Sequence, residues 1–253
     1  MLLPIRAPSH FRIIAHRGAS GYAPENTAAA FDLCKAMGIR EIELDTRLSS
    51  DGVVVVCHDE HLGRFGHGET PVEDRASSEL LTLDVGSWFS PHFFGGERML
   101  TLALVFQRYG EDFIYHIELK GQAERLVPAV NAVVERSGLK DSCYFTSFRR
   151  EHVERMRMVD VNFRLGWLVA EVTAELVESA RSMGLFQLCP RAENVSRSAV
   201  EMARTVASEV RAWGVKGTHR ERLQLLAKVI EAGCDGVTLD HPDWAVRDTV
   251  SGQ

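Results

Sequence analysis

Apolar or alternating runs recur along this chain at 11–16, 39–47, 113–120, 142–148, 163–169, 185–190, 208–215 and 235–240. Between them lie stretches patterned as amphipathic helices, near 26–37, 101–109, 122–136, 149–159, 171–183, 196–207 and 219–232. Val127, Val130, Val133 and Val134 form an i, i+3, i+4 stripe, as do Leu223, Leu226, Val229 and Ile230. Gly38, Gly138, Gly184 and Gly233 fall where helices should stop. Eight strands alternating with helices over 253 residues predict an α/β fold, a (β/α)8 TIM barrel. A doubly wound open sheet is the competing layout. The chain reads as a single domain over 1–253, and its 45% hydrophobic content suffices for one full core. One segment breaks the rhythm, a small insertion after strand 2 at about 59–100. It follows a strand-like run, Val53 to Cys57, and is rich in Gly, Ser and charge, yet carries Trp88, Phe89, Phe93 and Phe94. A loop of this length is usually functional, and it is read as a cap over one end of the barrel.

In such a barrel the chemistry sits at the C-terminal strand ends. Strand 1 ends at His16-Arg17. In "IREIELDTR" alternation turns Ile42 and Leu44 to the helices, and Glu41, Glu43 and Asp45 into the barrel, the last two near its mouth. In "FIYHIELK" the same alternation points His116, Glu118 and Lys120 inward. Carboxylates crowded in a mouth repel one another and lose hydration, so they must protonate, pair with cations or hold a metal. Glu43, Asp45 and Glu118 offer only oxygen, which favours Mg²⁺, Ca²⁺ or Mn²⁺ over Zn²⁺. The bland alternative is a structural ion-pair network with Arg17, Arg47 and Lys120. His16 and His58 both end apolar runs, and two histidines beside a hard metal can divide acid and base duties. Each alone is more often a hydrogen-bonded structural residue. Arg17 adds a planar donor fork suited to phosphate, and Lys120 adds a point charge.

Other classes are excluded or disfavoured. A net charge of −6 argues against nucleic acid as a partner. There is no glycine-rich phosphate loop ending in Lys-Ser/Thr and no Gly-x-Ser-x-Gly turn. No apolar run approaches bilayer-spanning length, and the first residues lack a secretory layout, so no stable membrane insertion is expected. The five scattered cysteines show no metal-ligand spacing and read as buried free thiols. With them, a cytoplasmic location is expected. The sequence does not give the oligomeric state; the commonness of isologous dimers makes a homodimer the expectation.

"AHRGASGYAPENT", "EIELDTRLSSDGVVVVCHDE" and "IELK" together resemble the signature segments of the glycerophosphodiester phosphodiesterase family. The likeness continues through "LDVGSWFSPHFFGGER", "TSF" and "AWGV" to "DGVTLDHP", and so touches nearly the whole chain. The resemblance implies a barrel with a small insertion after strand 2. It implies one divalent cation, Mg²⁺ or Ca²⁺ with Mn²⁺ as a variant, on Glu43, Asp45 and Glu118. It assigns His16 and His58 as general acid and base, and Arg17 and Lys120 as phosphate contacts. The implied reaction is metal-dependent hydrolysis of a small glycerophosphodiester to sn-glycerol 3-phosphate and an alcohol. Trp213 would wall the glycerol side or pack the barrel; Ser147, Phe148 and Gln187 carry weaker cases. The chain departs from the pattern at three places: His116 where relatives often have Asn, Gly214-Val215-Lys216 where they read Thr-Val-Asn, and Leu239 where Thr often precedes the Asp. His116 would tune the site or fill the barrel; the other two, at the mouth of strands 7 and 8, bear on the polar group preferred more than on the chemistry. Two alternatives stand beside the main reading. One is a lysophospholipase D or sphingomyelinase D-like enzyme, with aromatics at 85–94 supplying part of an acyl surface. The other is a non-catalytic phosphoester-binding barrel.

Overall fold

The computed structural model describes residues 3–248. Eight parallel strands close into a barrel: β1 (Arg12–Ala15), β2 (Glu41–Leu48), β3 (Ile114–Leu119), β4 (Cys143–Ser147), β5 (Arg164–Val169), β6 (Leu185–Pro190), β7 (Ala207–Ala212) and β8 (Gly236–Leu239). Each pairs with the next, and β8 pairs with β1, so the ring has no open edge. The helices that follow β1 to β7 are α1 (Ala28–Ala36), α2 (Leu102–Tyr109), α3 (Leu126–Ser137), α4 (Arg150–Val159), α5 (Ala174–Ala180), α6 (Arg197–Ala203) and α7 (His219–Glu231). The open-sheet alternative is thereby set aside. After β8 the chain makes one tight turn and a short strand, Ala245–Arg247, which pairs in parallel with Ile5–Ala7 outside the barrel.

The helix starts follow local chemistry. The hydroxyls of Thr27, Thr101, Thr173 and Ser196 each accept a free backbone N–H in the first turn of α1, α2, α5 and α6. Thr218 and Glu221 form a reciprocal capping box on α7. The apolar faces of the strands and helices meet in one large core that includes Phe31, Leu44, Phe106, Tyr115, Ile117, Val130 and Leu226. Inward strand positions instead carry charge, so the barrel interior is unusually polar: Glu41, Glu43, Asp45, His116, Glu118 and Arg211 are all buried.

Two boundaries differ from the sequence reading. The first helix was expected to start near Asn26, but Asn26 has φ of 60° and lies outside it; its side chain turns to Asp45. The seventh strand was expected to reach 215, but it ends at Ala212, and Gly214 with φ of 77° turns the chain. The segment after β2 contains a hairpin strand, Val54–Val56, antiparallel both to β2 and to Leu100–Thr101. It has its own apolar cluster of Val55, Cys57, Leu62, Val72, Leu80, Val85 and Met99. All five cysteines are free and buried. Among the described residues, no helix is long and apolar enough to cross a membrane.

Gly18 shows how tightly the β1–α1 turn is built. Its φ is 83°, and an added Cβ would lie 2.7 Å from the Ala30 side chain and 2.9 Å from its backbone. Gly18→Ala combines a left-handed backbone with overpacking against the first turn of α1. We expect a loss of about 2 kcal/mol or more, read as a lowered urea midpoint. An unchanged midpoint would mean that the turn can relax.

Candidate active site

The strand ends bring the predicted residues to one mouth. The β2–β3 register sets Asp45 beside Glu118 and Glu43 beside His116. Glu43, Asp45 and Glu118 are all buried, and each offers a carboxylate oxygen within 4.8 Å of the other two. Glu43 Oε1 and Asp45 Oδ1 are buried without a hydrogen-bond partner. Lys120 Nζ lies 2.8 Å from Glu118 Oε1 and 3.4 Å from Asp45 Oδ1. The donor set is thus all oxygen, crowded and under-satisfied, which fits a hard divalent cation. Electrostatics say the same. Burial, then repulsion from Asp45 and Glu118, pushes the Glu43 carboxyl well above its usual range. Burial and Asp45 also raise Glu118. Burial alone would raise Asp45 too, but Arg17 and Lys120 outweigh it and hold Asp45 below the usual range.

Arg17 lies at the turn after β1, with φ of 58°, a costly conformation for a residue with a Cβ. That conformation aims its backbone N–H at Glu43 Oε2, 3.0 Å away. Its guanidinium donates from Nη1 to Glu25 Oε1 at 2.9 Å, while Nε lies 3.0 Å from Asp45 Oδ2 without hydrogen-bond alignment. Asn26 completes the support by donating to Asp45 Oδ2 at 2.9 Å. A second acidic group, Glu25, His58 and Asp59, is already neutralised: Arg64 lies 2.8 Å from both Glu25 and Asp59.

The two histidines are held alike. His16 Nδ1 is 2.6 Å from Asp240 Oδ1, and His58 Nδ1 is 2.8 Å from Asp59 Oδ1. A carboxylate on Nδ1 fixes the proton there and leaves Nε2 free. Burial lowers the pKa of both rings, opposed by Asp240 at His16 and by Asp45 at His58. Arg47 does not join the acids; it donates to the His58 carbonyl at 3.1 and 2.9 Å and so anchors that loop.

These groups open onto a cavity of roughly 190 Å³. His16, Arg17, Glu43, His58, Glu118, Lys120 and Trp213 all line it; Asp45 is buried just behind. Its apolar side is Phe148, Leu168, Trp213 and Val215. The aromatics at 85–94, proposed above as part of an acyl surface, do not line it; Trp88, Phe89 and Phe94 pack edge-to-face on one another instead. Trp213 is fixed, its Nε1 donating to the carbonyls of Val169 and Cys189 at 3.1 and 3.0 Å and its ring edge-on to Phe148. Ser147 is turned away to the Leu119 carbonyl at 2.8 Å, and Gln187 to Glu209 at 2.9 Å. His116 sits deep in the barrel against Glu41 at 3.0 Å, and burial pushes it down to about 4.

Sequence reasoning did not assign Asp240 as the partner of His16, and it passed over Arg211, which lines the cavity floor. The Asp240–His16 pair spans 224 residues, so no local signal announced it. For Arg211 there was a signal, an arginine at an inward position of a strand.

A parallel barrel whose C-terminal mouth joins crowded acids, two carboxylate-held histidines and two cations defines an enzyme built for a small anionic ester. Residues 16–244 match the glycerophosphoryl diester phosphodiesterase family. A glycerophosphodiester phosphodiesterase of Caldanaerobacter subterraneus is 32% identical, over 93% of this chain and 96% of that one. A phosphodiesterase of Oleispira antarctica, solved with its product sn-glycerol 3-phosphate, is 26% identical with a TM-score of 0.78, over 95% of this chain and 94% of that one. Human lysophospholipase D is 31% identical, over 65% of this chain and 54% of its own length. The chain belongs to the glycerophosphoryl diester phosphodiesterase family and is a phosphodiester hydrolase.

Proposed function

We propose that the protein hydrolyses soluble glycerophosphodiesters to sn-glycerol 3-phosphate and an alcohol, using one divalent cation and two histidines. The observation that carries this reading is the convergence of three crowded carboxylates, two of them with an unpartnered buried oxygen, with two histidines whose Nδ1 atoms are already engaged. Glu43, Asp45 and Glu118 would hold Mg²⁺ or Ca²⁺, which supplies charge neutralisation and Lewis acidity at the phosphoryl oxygens. Lys120 and Arg17 add positive charge on the same side. His16 and His58 act through Nε2, one taking the proton of the nucleophile and the other giving a proton to the leaving alkoxide. Asp240 and Asp59 hold the rings in that tautomer and stabilise the protonated form. Trp213 and Phe148 wall the cavity against the carbon skeleton of the substrate. The 59–100 segment is read as a cap on the β2 side of the mouth, since Arg64 from it ties Asp59 to Glu25.

A second reading is favoured by one feature: the apolar wall of Phe148, Leu168, Trp213 and Val215 would also accept the start of an acyl chain, and one relative is a lysophospholipase D. A panel of glycerophosphocholine, glycerophosphoethanolamine, glycerophosphoglycerol and lysophosphatidylcholine separates the two. Glycerol 3-phosphate released from the soluble diesters is the expected result. Turnover of the lysolipid alone, with free choline as product, would replace the first reading by the second.

A further inference from the structure

The floor of the cavity holds a buried cation that the proposed mechanism does not use. Arg211 projects inward from β7 and is 2% exposed. It donates from Nη1 to Thr238 Oγ1 and from Nη2 to Cys189 Sγ at 3.6 Å, and its Nε has no partner. Among the described residues, no carboxylate lies within ion-pair distance of it, whereas Arg12, inward on β1, has both Glu41 and Glu209. Glu209, two residues before Arg211 on the same face, is taken by Arg12 and Gln187. Cys189 supplies no counter-charge either, because burial raises its thiol pKa and keeps it neutral. Thr146, also lining the cavity, has a buried Oγ1 without a partner. A guanidinium withdrawn from water without a counter-ion is costly, and it persists where a ligand completes it.

We propose that Arg211 is a ligand-binding residue that receives an anionic oxygen of the bound ligand at the cavity floor. This deepens the proposed function and rests on the same cavity being the catalytic one. The chemistry required is an oxyanion on a group small enough to reach the floor. It has two sources, the phosphoryl group itself or a second acidic group on the substrate's alcohol. A cationic alcohol such as choline is disfavoured there by like charge.

The experiment uses the whole chain with Arg211→Met and Arg211→Lys. The Kd of sn-glycerol 3-phosphate is measured by calorimetry, and kcat/KM for glycerophosphoglycerol, glycerophosphocholine and glycerophosphoserine. If Arg211 meets the phosphoryl group, Arg211→Met weakens glycerol 3-phosphate by about tenfold or more, and Arg211→Lys falls between. If it meets the alcohol's acid, glycerol 3-phosphate is unaffected while glycerophosphoserine loses kcat/KM by a similar factor and glycerophosphoglycerol does not. In both cases the ligand-free Arg211→Met protein keeps or gains thermal stability, because an unpaired buried charge has gone; a merely structural arginine would lower it. Should Arg211→Met not fold, Arg211→Gln, which keeps a donor for Thr238, carries the same measurements. Affinities and kcat/KM ratios all within twofold of wild type would overturn the proposal. Absence of turnover by the wild type on every diester would instead count against the proposed function.

Discussion

Replacing either His16 or His58 by alanine is expected to lower kcat about a thousandfold, with the fold retained, as positioned general acids and bases contribute roughly 10²–10⁴ each. The reason is geometric. Each ring has its Nδ1 engaged by a carboxylate, at 2.6 Å for His16 and 2.8 Å for His58, so Nε2 is the one nitrogen left to exchange a proton with substrate. Both rings line the same cavity and are pushed towards the neutral form by burial. The carboxylate behind each ring compensates by stabilising the imidazolium when it forms. The double variant should cost little more than the worse single one, because a proton relay with either end missing is already broken. Steady-state kinetics with glycerophosphoglycerol, alongside circular dichroism, checks this. A variant within tenfold of wild type would remove that histidine from the pair.

Removal of divalent metal should have an effect of similar size. Excess chelator is expected to reduce turnover about a hundredfold or more, and Mg²⁺ or Ca²⁺ to restore it. Activity that persists in chelator would leave the acids as a structural ion-pair network with Lys120 and Arg17. A second readout avoids activity altogether. Metal bound only by the folded protein raises the thermal midpoint with concentration. That rise should appear in wild type and vanish in Asp45→Asn. Glu43→Gln adds a sharper contrast. Burial and its acidic neighbours already favour the protonated, neutral Glu43, so the amide is close to isosteric with the form present without metal. Its metal-free stability should match or exceed wild type, while turnover falls with the lost ligand.

Much of this was legible in the chain. The eight strands and seven helices lie within a few residues of where periodicity placed them, since alternation and apolar stripes follow from which side of each element meets the core. Glu43, Asp45, Glu118 and Lys120 point inward as their strand positions require. The misses have two causes. Asn26 looked like the start of a helix and Trp213 like the interior of a strand, but Asn26 is held in a left-handed conformation between Arg17 and Asp45, and Gly214 turns the chain after Trp213. Partners across the site override local propensity at Asn26, and a left-handed glycine ends the strand before Trp213.

The amino-acid sequence by itself determined the barrel, the face on which each acid stands and the strand end at which each histidine lies, because those depend on a residue's parity along its own strand. Tertiary structure alone decided who meets whom. Closing β8 onto β1 sets Asp240 behind His16, registering β2 with β3 sets Asp45 beside Glu118, and the inward face of β7 leaves Arg211 without an acid. Charge state followed from that closure, since desolvation and neighbouring charges exist only once the ring has excluded water.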